Sequence, residues 1–557
     1  MDSSGRKPRT IAIALASAVV VLSSACTRES DGPGPCSPEF AKLEPSQGDA
    51  LVEGTIGDAS NLIAMLAGDS ASHSISGMIF DGMLTYDKTL SELEPRLAST
   101  WEVSDDGRVI TFHLRRDVKW QDGEPFTARD VEFGFQTIVD PATLTAYAED
   151  YRQVQSFEVL DDHTFRVTYE KPYAPALATW GSMVVLPRHL LEGRDINSAQ
   201  DFARNPVGLG PYKLESWETG MQITLRAYQD YYRGRPYIER VVERIIPDAQ
   251  TQFLELKSGG IDQMGLTPLQ FNRQTDTPEF KRNFSKYRYL SNGYTYLGYN
   301  LQRPLFADVR VRRALTHAID KSEIVEAVLL GLGQPAAVPY KPGTRWHNDR
   351  VEDLAYDPDR ARALLAEVGW ADSDGDGVLD KNGERFEFKI ITNQGNDQRL
   401  KAATVIQQRL KEIGILVDVR VIEWAAFINE FVNKRKFDAV LLGWSLDLDP
   451  DQYIIWHSEK TGAKEFNFVT YSNAEVDDLL DKGRRTFDAD ERERIYDRFQ
   501  EILVDEQPYT FLYYADSLPA VHCRVHGIEP APAGISYNFT EWYVPKPLQK
   551  YSMTAAP

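Results

Sequence analysis

The stretch FEFKIIT (386–392), RLKAATVIQQRLKEIG (399–414), VDVRV (417–421), AAFINEFVNK (425–434) and FDAVLLG (437–443), followed at once by WSLDLDPD (444–451), decides the fold class. The first segment reads as a strand, and the second as a helix that Gly414 ends. Val417, Val419 and Val421 alternate as on a strand. Ala425–Lys434 returns to helical spacing, and Phe437–Gly443 is an apolar run of strand length. Strand–helix–strand–helix–strand predicts parallel pairing with right-handed crossovers, hence an α/β fold. Ligands of such sheets bind beyond the carboxyl ends of the strands. That rule puts Trp444, Ser445, Leu446, Asp447, Asp449 and Asp451 where a ligand is expected. Bland readings stand beside it. Trp444 fits a core position, Asp447 fits a turn cap, and Asp449 and Asp451 suit turns better than ligand contacts.

Outward from this segment the signals stay regular. Val311, Ala314, Leu315, Ala318 and Ile319 share one helical face. Asp320 and Glu323 predict the cap of the next helix, with Gly331 as its end. Asp357-Pro358 opens another helix, which Gly369 closes. Upstream, Asp105-Asp106-Gly107 predicts a turn before the alternating strand Ile110, Phe112, Leu114. Thr127 and Asp130 predict a capping box. Asp372, Asp374, Asp376 and Gly377 have the opening spacing of a calcium loop, but Gly383 stands where a bidentate acid is needed. A polar helix-to-strand turn without calcium is the expectation.

At 557 residues the chain exceeds one compact unit, and three or so structural units are expected. A formal charge of −21 argues against nucleic acid or an anionic membrane as main partner. Arg6, Lys7 and Arg9 precede the apolar run Ile11–Leu22, which is too short to span a bilayer and has signal-peptide flanks. Ser23, Ser24, Ala25 and Cys26 follow. Residues 1–25 are therefore expected to be a signal peptide, and the Pro-, Gly- and Ser-rich stretch after it a flexible linker reaching to about Asp49. The other two cysteines, Cys36 and Cys523, are free to form a disulfide after export or to remain thiols. Catalytic constellations are missing. No HExxH occurs among the nine histidines, and there is no GxxxxGK loop. Gly443-Trp444-Ser445-Leu446-Asp447 lacks the last glycine of a nucleophile elbow. No enzyme activity, cofactor or metal is expected.

Leu97–Trp101, TFHLRRDVKWQDGEPFTARDV (111–131), PVGLGPYKL (206–214), Ser258–Asp262, DVRVRRALTHAID (308–320) and the Trp444–Pro450 loop resemble, in order, the bacterial extracellular solute-binding proteins of family five. The resemblance implies a periplasmic-binding-protein-like fold: two α/β lobes joined by hinge strands, with an additional subdomain in the first lobe. The expected division is lobe I at 50–76, 184–290 and 512–557, the subdomain at 77–183 and lobe II at 291–511, after the signal peptide (1–25) and the anchor and linker (26–49). The implied function is that of a monomeric substrate-binding component of an ABC importer, which captures an oligopeptide-like ligand and delivers it to membrane permease subunits. Nickel or another metal chelate, a sugar, or a sensory or chaperone-like role are the alternatives on the same fold. By resemblance, Asp447 of W-x-x-D pairs with a ligand amino terminus beside Trp444, and Ser445 and Leu446 offer backbone groups. Ser60, Asn61 and Tyr147 line the cleft from the first lobe. Cys26 resembles a lipidation site that holds the protein on the outer face of the cytoplasmic membrane, although Ser23 stands where such boxes usually have Leu. Cys36 and Cys523 come together because both chain ends share one lobe in this family.

Overall fold

A computed structural model describes residues 33–551, so the expected signal peptide and Cys26 lie outside the described residues. β1 (Gly48–Thr55) is buried from Asp49 to Val52. It takes the centre of a seven-stranded sheet because apolar side chains on both faces find cover. Then α1 (Ser70–Ile79) starts at Asp69, whose carboxylate accepts the Ser72 N–H at 3.0 Å. Its buried Ser72, Ile75, Ser76 and Ile79 form one stripe.

A separate antiparallel sheet follows, from β2 (Ala98–Val103), β3 (Val109–Leu114), β4 (Val154–Asp161) and β5 (Thr164–Tyr169), in the order β2-β3-β5-β4. Gly107, at φ +67°, makes the β2–β3 turn. Ile110, Phe112 and Leu114 face inward as their alternation predicts. Both hydrogen bonds of the Thr127/Asp130 capping box start α2 (Ala128–Val139). The short α3 (Ala148–Arg152) follows it. This sheet and its helices form the additional subdomain.

The chain then adds to the first sheet β6 (Tyr212–Glu218), β7 (Gln222–Ala227), β8 (Ile238–Ile245), β9 (Gln263–Gly265) and β10 (Phe284–Lys286). It crosses to the second lobe between β10 and β11 (Tyr289–Leu290), and β12 (Gly293–Tyr299) runs through that lobe's sheet. Two capped helices come next: α4 (Lys321–Ala327), with Asp320 accepting the Glu323 N–H, and α5 (Pro358–Glu367), with Asp357 accepting the Arg360 N–H. The alternating segment folds as β13 (Glu387–Asn393), α6 (Asp397–Glu412), β14 (Leu416–Ile422), a helical stretch at 424–432, and β15 (Ala439–Ser445). β13 pairs in parallel with both β14 and β15, as the crossover rule requires. α7 (Ala474–Gly483) and α8 (Ala489–Glu506) precede β16 (Tyr509–Ser517). The second sheet has the order β11-β16-β12-β15-β13-β14, with Gly333–Pro335 added on β16. The first has the order β10-β17-β9-β1-β8-β7-β6, where β17 is Pro519–His522.

Two findings shift the expected boundaries. β16 stays paired in the second sheet up to Ser517, so the return to the first lobe falls at Leu518, later than 512. The described part of the expected linker is fastened, not free. Cys36 is disulfide-bonded to Cys523, with Cα atoms 5.0 Å apart, and Ser46 Oγ donates to the Val544 carbonyl at 2.8 Å. Buried Arg524 ties the lobe's separate chain segments together. It donates to Asp49, to Asp262 at 2.7 Å and to the Ala50 carbonyl at 2.6 Å, while Asp49 accepts the Lys550 and Tyr551 N–H groups. Such charges are tolerated inside only because every one is paired.

Candidate functional site

Between the lobes lies a cavity of about 860 Å³. That is near the upper end of small-ligand sites. The first lobe contributes Asp69 and His73 from the start of α1, and Tyr147 and Asp150 around α3. The second contributes Trp444 and Ser445 from the end of β15, and Arg399, Trp424, Asp447, Asp449 and Asp451 from beyond β13, β14 and β15. The cavity thus opens at the carboxyl ends of these strands, where the rule looks for a ligand.

The three acids after β15 have different environments. Asp449 is held by Arg492 through two bonds of 2.8 and 2.7 Å, and accepts the Asp451 N–H at 3.0 Å. Asp451 accepts Arg484 Nε at 2.7 Å and the Tyr453 N–H at 3.1 Å. Both therefore shape the loop. Asp447 is exposed within the cavity between the lobes, with no hydrogen-bond or ion-pair partner among the described residues. Burial first, then the neighbouring Asp449 charge, raises its pKa above the ordinary carboxylate value.

Trp444 is both core and wall. Its ring stacks on Phe468 at 5.3 Å and meets Phe466 edge-on at 5.3 Å, and Nε1 donates to the Tyr509 hydroxyl at 3.4 Å. Ser445 is exposed to the cavity. Tyr147 lines it too, with its hydroxyl donating to the Ala67 carbonyl at 3.2 Å and lying 3.0 Å from His73 Nε2. Burial, then Asp447, raises the Tyr147 pKa.

Three expected residues fall outside the lining. Leu446 closes the β12–β15 ladder: its N–H donates to the Asn292 carbonyl at 2.9 Å, and its carbonyl accepts Asn292 Nδ2 at 2.6 Å. Its N–H is therefore already used, and its carbonyl already accepts one bond. Ser60 and Asn61 stand behind the wall. Their N–H groups donate to Ser72 Oγ at 2.8 and 3.1 Å, and Ser60 Oγ donates to Asp69. They brace the start of α1 and leave the cavity to Asp69 and His73.

Arg399, in the first turn of α6, also lines the cavity. Nη1 donates to Asn393 Oδ1 at 2.9 Å, Nε is buried without a partner, and among the described residues no carboxylate pairs with the guanidinium. Gly443 makes room for it, since a Cβ there would sit 2.7 Å from Nη2. Trp424 reaches across the cleft to Asp69, with Nε1 3.2 Å from Oδ1. Two ion pairs cross beside it: Lys460 with Glu149 at 2.9 Å, and Arg484 with Asp150. Arg399 and Trp424 follow β13 and β14 as the Trp444 loop follows β15, so the same rule could have found them. Asp69, His73 and Asp150 carry no such local signal.

Elsewhere, Asp372, Asp374 and Asp376 cluster on the surface. Their carboxylates accept N–H groups of their own turn, at 2.8 Å for Gly375 and 3.0 Å for Gly377, and Asp376 pairs with Arg385 at 2.8 Å. This is the polar turn the sequence predicts.

A family model described as bacterial extracellular solute-binding proteins, family 5, matches residues 92–465. The oligopeptide-binding protein AppA of Bacillus subtilis is 33% identical over 554 residues, covering 97% of this chain and 100% of its own length. Its structure with a nonapeptide superposes with a TM-score of 0.86 at 32% identity, covering 90% of this chain and 100% of that one. The Helicobacter pylori protein DppA, in complex with the peptide STSA, gives 0.81 at 29% identity, covering 90% and 99%. NikZ of Campylobacter jejuni, in complex with Ni(L-His), gives 0.80 at 28% identity, covering 89% and 99%.

Proposed function

Because the chain belongs to the bacterial extracellular solute-binding proteins of family 5, we propose that it is the exported substrate-binding component of an ABC importer and that its cleft captures an oligopeptide-like ligand. On this reading the protein acts as a monomer, is anchored through a lipid on Cys26, and passes its ligand to permease subunits in the cytoplasmic membrane.

One observation carries the choice of ligand. Of the three acids after β15, Asp447 alone has no cation, and it faces the cavity. A buried unpaired charge is costly, so closure of the lobes favours a ligand that brings a positive group. A peptide ammonium supplies the charge and three donors. Arg399, the unpaired cation of the same cavity, suits a ligand carboxylate or carbonyl. A nickel chelate has less support: His73 lines the cavity, but its Nε2 already lies 3.1 Å from the Ala67 carbonyl and 3.0 Å from the Tyr147 hydroxyl.

Removing one partner of a buried charge pair costs about 2–5 kcal/mol. Asp447→Asn should therefore weaken a free-amine peptide by about 30-fold or more. Acetylating the peptide amino terminus should weaken it equally, and the two effects should not add. Calorimetric titration of the four combinations measures this. Equal affinity of the wild type for free and acetylated peptide removes Asp447 from the role.

A further inference from the structure

A second, smaller cavity of about 290 Å³ lies at the hinge. Three polar side chains from neighbouring strands stand abreast in its wall. Glu53 on β1 is directly opposite Glu243 on β8, and Gln263 on β9 is directly opposite Glu53. Adjacent strands are about 4.8 Å apart, so the three groups converge on one spot.

Glu243 is only 7% exposed. Neither glutamate has an ion-pair partner among the described residues, because the nearby cations are engaged: Arg244 with Glu255 at 2.9 Å, and Arg524 with Asp262 at 2.7 Å. Gln263 Oε1 points to a missing donor independently of the acids, being a buried acceptor with no hydrogen bond. A buried polar atom in that state calls for a partner. Burial, then Asp262, pushes Glu53 up to about 7. Burial, then Glu53, pushes Glu243 up to about 8. Both carboxyls are thus poised to exchange a proton for a cation.

The cavity lies next to the ligand cleft along the hinge. Tyr289 and Ser517, its hinge residues, pair across the two crossing strands. Ser291 and Ala515, two residues along each strand, line the large cavity. Side chains two apart share a face and lie about 7 Å apart. On α1, Ser74 of the small cavity follows His73 of the large one.

We propose that this hinge cavity is a side-chain subsite of the cleft, in which Glu53, Glu243 and Gln263 Oε1 receive the ammonium or guanidinium of a lysine- or arginine-type ligand side chain. The proposal rests on the peptide reading and narrows it to ligands with a basic residue. Three converging acceptors match the three donors of an ammonium, and the space exceeds what a bare ion fills.

The test is calorimetric titration with tripeptides that differ only by Lys or Ala at one position, scanned over the three positions. Wild type should prefer Lys by at least about tenfold at one position, and Glu53→Gln/Glu243→Gln should reduce that preference to within about twofold. Equal binding of Lys and Ala peptides at every position, or a preference that survives the double substitution, overturns the subsite. If the double variant does not fold, the two single variants are read in the same way. If wild type binds no peptide, the peptide reading fails, and titration with lysine amide then decides the subsite alone. Heat lost on substitution upholds it; no heat overturns it.

Discussion

Asp150→Asn tests how the lobes are held together. Two consecutive acids of α3, Glu149 and Asp150, reach Lys460 and Arg484 of the second lobe, whose side chains are 5% and 4% exposed. Breaking a buried pair costs about 2–5 kcal/mol. Arg484 keeps Asp451 at 2.7 Å within its own lobe, so the loss belongs at the low end, about 2 kcal/mol. When the lobes part, Asp150 is hydrated and Arg484 stays with Asp451. The penalty therefore falls on the closed form alone. Ligand release should quicken about 30-fold, since 1.4 kcal/mol is tenfold, with association nearly unchanged. Stopped-flow release of a bound peptide measures this. Small-angle scattering of the ligand-free variant should show no compaction relative to wild type. Release within about twofold of wild type refutes the role of the pair.

Three further outcomes are expected. Replacing Cys36 or Cys523 by Ala should cost about 2–5 kcal/mol in denaturant unfolding, because the bridge closes a loop of 487 residues; an unchanged midpoint refutes this. Glu243 rises from 4.5 to about 8 on folding and Glu53 to about 7, so the folded chain keeps protons that the unfolded chain has lost. Their contribution is greatest below pH 4.5 and declines as pH rises to about 8, by up to about 1.4 kcal/mol per unit for each proton; Glu53→Gln/Glu243→Gln should flatten that slope, and equal slopes contradict it. Chelators should leave the thermal midpoint unchanged despite the Asp372 cluster, and a marked drop would show a bound cation.

Much of the fold is written locally. The β13–β15 alternation, the Asp320 and Asp357 caps and the Thr127 capping box are short-range signals, and each forms where its residues stand. The lobe boundaries are less legible. β16 runs past residue 512 because Tyr289 and Leu290 extend its ladder to Ser517, a pairing across more than two hundred residues that no local pattern encodes. The site divides in the same way. Asp447 and Trp444 follow from strand order, whereas the place of Ser60 and Asn61 does not, because a polar pair in a turn looks the same whether it faces a cavity or braces a helix. Here Ser72 Oγ decides the matter, twelve and eleven residues away. An Arg in the first turn of an amphipathic helix ordinarily reads as solvated, so nothing local marks Arg399. The space for its guanidinium comes from Gly443 of β15, more than forty residues away in the chain.

The loop after β15 connects capture to closure. Asp447 and Asp451 are four residues apart, one facing the ligand space and the other bound to Arg484. The same Arg484 grips Asp150 when the lobes meet. Closing an empty cleft would secure Arg484–Asp150 but strip water from around Asp447 without giving it a cation. Those two terms oppose each other, and each is of the order of a few kcal/mol. A ligand ammonium cancels the unfavourable one and leaves the favourable one in place. A ligand shifts a two-state equilibrium only by its differential affinity for the two states, and on this reading the Asp447 contact provides that difference. It follows that Asp447→Asn should close the lobes in the absence of ligand while weakening the ligand itself. Scattering from the ligand-free Asn variant should therefore report a more compact particle than wild type, and an unchanged or larger radius would break the link between the two ends of the loop.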